Sequence, residues 1–448
     1  MIKCLLLIVY IFIVTESVAQ TPVFDQLWNN ALVKERISKG IEKYRKGDAT
    51  IVVLDKSGKP LENATIEVRQ KTHEFLFGCN LFVLGQLATH ELNMKYETAF
   101  TNLFNFATLP FYWRDLEPEQ GKPRFSASSE KIWRRPPPDL LVKWCKDHNI
   151  TAKGHCLMYV KDIFMPSWTE KNNPELLLKQ GKKHMSEIAG RYKDDIPIWD
   201  VANEEIQRTR TLPDQWYKVP DDYLAWCFKE AGKLFPKSSV LLYNDGTIVN
   251  ENDGSDLYKS IIQGLIEKKV RLDAMGIQFH GYKREEMLDG KIFPPDQLIM
   301  VYDKYGQLGL PMYVTEVTIP GRDKDGFVLQ AKILENMYRL WFSTPNMAGI
   351  TYWNLGDGTA FEKENEILGG LIDSEMNPKP AYQALDKLIN HEWKTAESLN
   401  TGKNGKANFR GFYGKYQITV RSNGKLLDQE IILSKLVPNN YIIQLSKY

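Results

Sequence analysis

The decapeptide IPIWDVANEE, Ile196–Glu205, decides how the chain is read. Ile196 to Val201 is mostly apolar, rich in large or β-branched side chains, and follows the polar run Arg191–Asp195. A short apolar run bounded in this way is the pattern of a strand buried on both faces. Asn203 and Glu204 come where such a strand should end. In an α/β barrel the C-terminal strand ends carry the chemistry, so a carboxylate beside an amide here is placed to act as an acid. The same residues would equally serve as a polar cluster capping a following helix, and only the rest of the chain separates the two readings.

Working outward, similar apolar runs recur at Phe75–Asn80, Leu103–Leu109, Ala152–Met158, Ser239–Asp245, Ala274–His280, Pro311–Thr318 and Met347–Trp353. Amphipathic stretches lie between them, among them Leu140–His148, Pro174–Tyr192, Asp222–Phe235, Asp256–Lys268, Pro295–Leu308 and Phe327–Ser343. Eight strands alternating with helices predict an α/β fold of the (β/α)8 TIM-barrel type over residues 75–390. An open doubly wound sheet is disfavoured because no Gly-rich phosphate loop follows the first strand.

Both flanks of the barrel read differently. Residues 20–74 predict a charged helix over residues 30–47, with Leu32, Ile37, Ile41 and Tyr44 on one face. A β-hairpin is expected next, Ala49–Leu54 returning as Ala64–Arg69 through the turn DKSGKP. After a last helix, Pro380–Leu388, residues 391–448 alternate in polarity around Gly and Asn-Gly turns, as strands do. These two ends are expected to pack together as one small accessory β element.

Composition bounds the function. The 448 residues carry a net charge of +2 and no basic run, which argues against a nucleic-acid partner. Eleven Trp and 21 Tyr supply aromatic faces that suit sugar rings, although most such residues are core. Residues 1–19 read as a secretory signal. Lys3 gives the positive start, Cys4–Val14 an apolar stretch too short to span a bilayer, and Ser17-Val18-Ala19 small residues for cleavage before Gln20. No later run is long enough to cross a membrane, so a protein exported to the periplasm or the extracellular space is expected; it is also expected to be a monomer. Cys79, Cys145, Cys156 and Cys227 lack metal-ligand spacing. No metal or cofactor is called for, three of these thiols sit in apolar surroundings, and a disulfide remains open. Asn63-Ala-Thr65 and Asn149-Ile-Thr151 fit the glycosylation acceptor pattern.

A second carboxylate-bearing strand end stands at YVTEVTIP, where Glu316 follows Tyr313–Thr315. By strand count Glu204 belongs to the fourth strand and Glu316 to the seventh, across the mouth of a closed barrel. Two facing carboxylates suit glycoside hydrolysis, one donating a proton to the leaving oxygen and the other attacking or activating water. His155, Asn203, Gln278 and His280 also come at strand ends, where they can bind sugar hydroxyls and tune the carboxylates. Trp353 ends the eighth strand and could floor the cleft.

These residues carry a resemblance. WDVANE (Trp199–Glu204) resembles the acid/base motif of family 10 glycoside hydrolases, the β-1,4-xylanase family, and VTE (Val314–Glu316) its nucleophile strand. Lys153-Gly154-His155 followed by Pro166-Ser167-Trp168, Gly276–His280, and Trp353 with NPKPAY (Asn377–Tyr382) are similar to further family motifs in the same order. LEPEQGKPRF (Leu116–Phe125) is similar to its EP-x-x-G-x-F signature, and the likeness covers roughly residues 75–388. It implies that Glu204 is the acid/base and Glu316 the nucleophile, with His155, Asn203, Gln278 and His280 around the sugar and Trp353 stacked near it. It implies retention of anomeric configuration, with the carboxyl groups about 5–5.5 Å apart.

The departures bear on substrate. Where the family carries E-N-x-M-K-W after the second strand, binding sugars on the non-reducing side, this chain has Thr108-Leu109-Pro110-Phe111-Tyr112-Trp113. The family's W-H after the third strand is Tyr159-Val160, and its Asp two residues past the nucleophile is Thr318, so His280 is expected to lose a carboxylate partner. Trp113, Tyr112 and Tyr159 are candidate sugar contacts, as are Trp168 and Trp133. Glu205 is expected to be solvated or a cap. The expectation is a retaining endo-β-1,4-xylanase acting on a xylan-like polysaccharide or oligosaccharide. The alternatives are a relative acting on decorated or short xylan fragments or another β-glycan, or a non-hydrolytic carbohydrate-binding protein.

Overall fold

The computed structural model describes residues 22–246, 248–249, 252–322 and 324–445, with a barrel and a β-sandwich beneath it. The signal sequence expected over residues 1–19, with Gln20, lies outside the described residues. Eight parallel strands close the barrel: β1 Leu76–Asn80, β2 Phe106–Pro110, β3 Thr151–Met158, β4 Ile198–Asn203, β5 Val240–Asp245, β6 Ala274–His280, β7 Met312–Thr318 and β8 Met347–Tyr352. β8 pairs with β1 to complete the ring. Nearly every strand residue is buried, which is why these segments read as continuous apolar runs rather than alternating ones.

The helices between strands start at strong local signals. Pro138, Pro174, Pro295 and Pro380 each occupy the first helical position, where a missing N–H costs nothing. Thr89 and Asn173 cap the helices His90–Leu103 and Pro174–Tyr192, each side chain accepting a backbone N–H at 3.1 Å. Packing then sets the strand positions. Trp199 on β4 is fully buried against Phe111 and Phe235, and its indole N–H donates to the Ile196 carbonyl at 2.9 Å. On the neighbouring β3, a Cβ at Gly154 would lie 2.2 Å from that indole, so only glycine fits there.

The helix Ala31–Arg45 buries Val33, with Ile37 and Ile41 packed against the same core, but Leu32 is 75% exposed. Leu32 therefore does not belong to the apolar face expected of it. Asn30 caps the helix by accepting the Leu32 N–H, which places Leu32 in the first turn, pointing outward. A Cβ on Gly40 would meet the Ser343 carbonyl at 2.3 Å, so this glycine lets the helix lie against Lys324–Ser343.

The expected hairpin is not one. Lys46–Leu54 and Thr65–His73 lie in different sheets. The first sits between Lys406–Phe412, antiparallel, and Asn440–Gln444, parallel. The second sits between Ala396–Asn400 and Gly414–Ser422, which pairs onward with Lys425–Leu433. Both early strands carry one apolar face, Ile51 and Val53 on one and Ile66 and Val68 on the other, and all four join one core with Phe409, Ile418 and Val420. Two such faces are best covered by opposing each other across a sandwich, with the C-terminal strands pairing edge to edge with each. Strands from both chain ends thus make one β element.

Cys79, Cys145, Cys156 and Cys227 are buried free thiols. Among the described residues no helix is long and apolar enough to cross a membrane, and no group of His, Cys, Asp and Glu is arranged to hold a metal ion.

Candidate active site

The strand ends enclose a cleft of about 370 Å³ at the C-terminal mouth of the barrel, lined among others by His155, Asn203, Glu204, Gln278, His280, Glu316 and Trp353. Glu204 follows β4 directly. Its backbone is left-handed, φ 58°, with its N–H donating to the Asn244 carbonyl at 3.0 Å. A non-glycine residue held in that region stores strain of the kind found at functional sites. The Glu204 side chain is 18% exposed, accepts from the Tyr159 hydroxyl and from Gln278 Nε2 at 3.3 Å, and lies 4.0 Å from Lys161 Nζ. Burial and the Glu204 charge hold the Tyr159 phenol far above its ordinary pKa, so it stays a donor.

Glu316 lies within β7, two residues before its end, and is buried. It accepts from Asn244 Nδ2 at 2.8 Å and pairs with His280 Nε2 at 3.1 Å. Burial alone would raise its pKa. The His280 hydrogen bond and the charges of His155, His280 and Lys153 more than offset this, leaving Glu316 below the ordinary carboxylate value and ionised. Conversely, burial disfavours the imidazolium of His280, yet Glu316 raises its pKa overall. His280 keeps a second partner, Thr318 Oγ1, 2.9 Å from Nδ1, so a hydroxyl stands where a carboxylate partner was expected to be lost.

A second polar cluster supports the first. Asp200 on β4 is fully buried and bonded to Lys153 Nζ and His155 Nδ1, both at 2.7 Å. His155 is thereby aimed between the edges of Tyr112 and Trp353, each ring centroid 5.4 Å away. Asn244 Nδ2 also donates to Asn203 Oδ1 at 2.8 Å, linking the amide of β4 to Glu316.

Most of the residues expected at the site are brought together, including Tyr112 and Tyr159. Trp113 is not. Its ring stacks on His184 at 4.3 Å and its indole N–H donates to Glu117 at 2.9 Å, outside the cleft lining. Trp168 packs edge-on against Trp113, and Trp133 is exposed; neither lines the cleft. Glu205 is neither solvated nor a cap, being mostly buried and paired with Arg208. Sequence reasoning missed Asn244 and Asp200, and also Arg134, Arg135, Lys161, Tyr282 and Glu364 in the lining. Asn244 shares the strand-end signal of Asn203, an amide closing an apolar run, and Asp200 lies inside the WDVANE motif. Arg134, Arg135, Lys161 and Tyr282 sit on loops and Glu364 in the short helical turn Glu362–Ile367, none with a local signature.

Residues 83–388 match the family model described as Glycosyl hydrolase family 10, more than half of the chain. The chain belongs to that family. It is 26% identical to the anti-sigma-I factor RsgI6 of Acetivibrio thermocellus, over 87% of this chain and 47% of that protein. It is 25% identical to endo-1,4-beta-xylanase 1 of Arabidopsis thaliana, over 88% and 38% of the two chains. With endo-1,4-beta-xylanase B of Thermotoga neapolitana the identity is 24%, over 63% and 79%. The chain thus spans less than half the length of the first two relatives. Xylanase 10B from Thermotoga petrophila, solved with xylobiose, shares the barrel fold at a TM-score of 0.57 and 22% identity, covering 71% of this chain and 95% of that one. The run in which the chain departs from the family's motif begins within β2. Thr108 and Leu109 are fully buried and absent from the cleft lining, and of this run only Tyr112 reaches it.

Proposed function

We propose that this family 10 member is a retaining endo-β-1,4-xylanase that hydrolyses internal bonds of a xylan-like polysaccharide by double displacement. The observation that carries this reading is Glu316, a buried carboxylate hydrogen-bonded to His280 and Asn244, and kept ionised by the His280 bond and the charges of His155, His280 and Lys153, in the same cleft as Glu204. A carboxyl group attacks a sugar only in its ionised form, so a lowered pKa suits it to that role. In the first step Glu204 protonates the leaving oxygen while Glu316 forms the glycosyl–enzyme bond. In the second, Glu204 takes a proton from water, which displaces Glu316 with net retention. Asn203 and Gln278 present amides, and His155 an imidazole, to sugar hydroxyls. Trp353 closes the floor.

The buried Thr108 and Leu109 favour a second reading of the substrate, in which a decorated or short xylan fragment, or another β-glycan, is preferred. Export is part of the proposal and rests on the signal pattern of residues 1–19; N-terminal sequencing of the secreted protein should begin at Gln20. The test of mechanism is proton NMR of a xylo-oligosaccharide digest. The β-anomer should appear first and mutarotate, and α-anomer appearing first would overturn double displacement.

A further inference from the structure

The flank of the cleft next to β1, β2 and β8 carries two consecutive arginines. Arg134 and Arg135 are 4% and 6% exposed, and both line the cleft. Their guanidinium carbons lie 5.4 and 5.5 Å from the centre of the same Phe82 ring, and that of Arg135 lies 4.1 Å from the Tyr112 ring. Two cations so close and so dry require counter-charge. Arg135 has one, with Nε 2.8 Å from Asp115 Oδ2. Arg134 has no carboxylate within 4.0 Å among the described residues. Its Nη1 donates to the neutral Asn354 at 2.9 Å, and its buried Nε has no hydrogen-bond partner. Glu364, the other carboxylate facing it, lies beyond ion-pair distance and accepts from Tyr282 at 2.8 Å. Burial and the neighbouring Arg135 charge push the Arg134 guanidinium down to about 10.

The backbone at Arg134 is also fixed in place. Arg134 is left-handed, φ 62°, and its N–H is fixed by Gln86 Oε1 at 2.7 Å, while Gln86 Nε2 donates to Ile132 at 2.8 Å. A strained, pinned turn that buries an unpaired cation in a substrate cleft is costly unless a ligand completes it.

We propose that Arg134, with Arg135 beside it, is a specificity site for an anionic substituent on the glycan, a uronate carboxylate or a sulfate ester carried by a sugar bound along the β1–β2 flank. A planar fork of N–H donors matches either group and discriminates it from a hydroxyl. This rests on the hydrolase reading above, and the experiment separates the two.

The full chain is assayed on matched oligosaccharides: a uronosyl-substituted xylo-oligosaccharide, the same molecule with its carboxyl reduced to the alcohol, and a sulfated counterpart. Wild-type kcat/KM should favour an acidic form over the reduced one by about 10- to 100-fold, and the ratio should shrink with added salt. Whichever anion gives the larger ratio identifies the source. Arg134→Gln should bring the ratio close to one, and Arg134→Lys should retain part of it. A wild-type ratio near one overturns the proposal, as does Arg134→Gln lowering acidic and reduced substrates by the same factor. Turnover of no β-glycan at all would instead overturn the hydrolase reading. Calorimetry of the Glu316→Gln chain with acidic and carboxyl-reduced oligosaccharides from xylan and other β-glycans then decides the anion site. Tighter binding of the acidic forms supports it, and equal binding overturns it.

Discussion

The two flanks of the cleft are built on different terms. From β3 round to β7 the polar side chains are bonded to one another. Lys153 and His155 share Asp200, Asn244 joins Asn203 to Glu316, and His280 bridges Glu316 to Thr318. On the β1–β2 flank the strand residues Thr108 and Leu109 are sealed inside the barrel, and the polar groups come from the Arg134–Arg135 turn. Strand ends are rigid and can hold reacting groups to fractions of an ångström, whereas loops can be exchanged without disturbing them. On the proposed function, the difference means that reaction type and substrate choice are carried by separate parts of the chain and can change independently.

The largest effect should come from breaking the strand-borne side. Glu316→Ala should lower turnover by roughly 10⁴-fold or more on every substrate, because the covalent step has no other nucleophile. Glu204→Ala should cost roughly 10²- to 10⁴-fold on a natural glycan but much less on an activated phenyl glycoside, which needs no proton. Azide should restore part of the lost rate by attacking the glycosyl enzyme. Equal losses on good and poor leaving groups would reverse or void the division of roles.

Next comes the support beneath that side. Lys153 and Asp200 are both fully buried, so Asp200→Asn leaves an ammonium in the barrel without its carboxylate. That should cost roughly 3–5 kcal/mol of stability in urea or guanidinium unfolding. Adding Lys153→Met to Asp200→Asn should return part of the loss. A cost below about 1 kcal/mol would mean that water reaches the cluster and that the strand-borne flank is less rigid than its bonding implies.

His280 sharpens the comparison through pH. Burial pushes Glu316 up, while the His280 hydrogen bond and the charges of His155, His280 and Lys153 hold it below its ordinary value. In His280→Gln the balance tips toward burial, so the acid limb of kcat/KM should move to higher pH. The depressed Glu316 stabilises the fold above the ordinary carboxylate range, and this is lost as pH falls through its folded pKa. The raised His280 stabilises the fold below its ordinary value of 6.5, and this is lost as pH rises through the folded one. At neutral pH the variant should retain roughly a tenth to a hundredth of wild-type kcat/KM. An unmoved acid limb would show that His280 does not set the nucleophile's charge.

How far each flank could be read from sequence follows the same division. The barrel was legible because strands buried on both faces leave unbroken apolar runs, and Glu204 and Glu316 because two carboxylates close two such runs that a closed barrel sets across its mouth, within motifs that follow the family's order. Asn244 went unread although it closes the fifth run in the same way, since an amide alone does not name a reaction. Arg134 and Arg135 were not legible, because a loop bends into the mouth through contacts distant in sequence, such as Gln86 with residue 134. The separation of Lys46–Leu54 from Thr65–His73 was hidden for a related reason. A local turn signal predicts a hairpin, and partners supplied more than 300 residues later override it.

The smallest effect tests where the cleft ends. Tyr112 and Trp113 are adjacent, yet Tyr112 faces the cleft while Trp113 opens the short helix Trp113–Leu116 and turns inward onto His184. Glu117 Oε2 accepts the Trp113 indole N–H, and its other oxygen accepts the Gly121 N–H at 2.7 Å, so the indole helps hold the loop that follows β2. Trp113→Phe keeps an aromatic ring on His184 but removes the donor and some buried area, which should lower stability by about 1–2 kcal/mol. Because no part of Trp113 lines the cleft, kcat/KM per folded molecule should change by less than about threefold, as for a substitution away from the reacting groups. Unfolding midpoints and kcat/KM on one xylo-oligosaccharide measure the two quantities separately. A large rise in KM with unchanged stability would place Trp113 against the sugar and extend the substrate-binding flank past Tyr112, onto the short helix that follows β2.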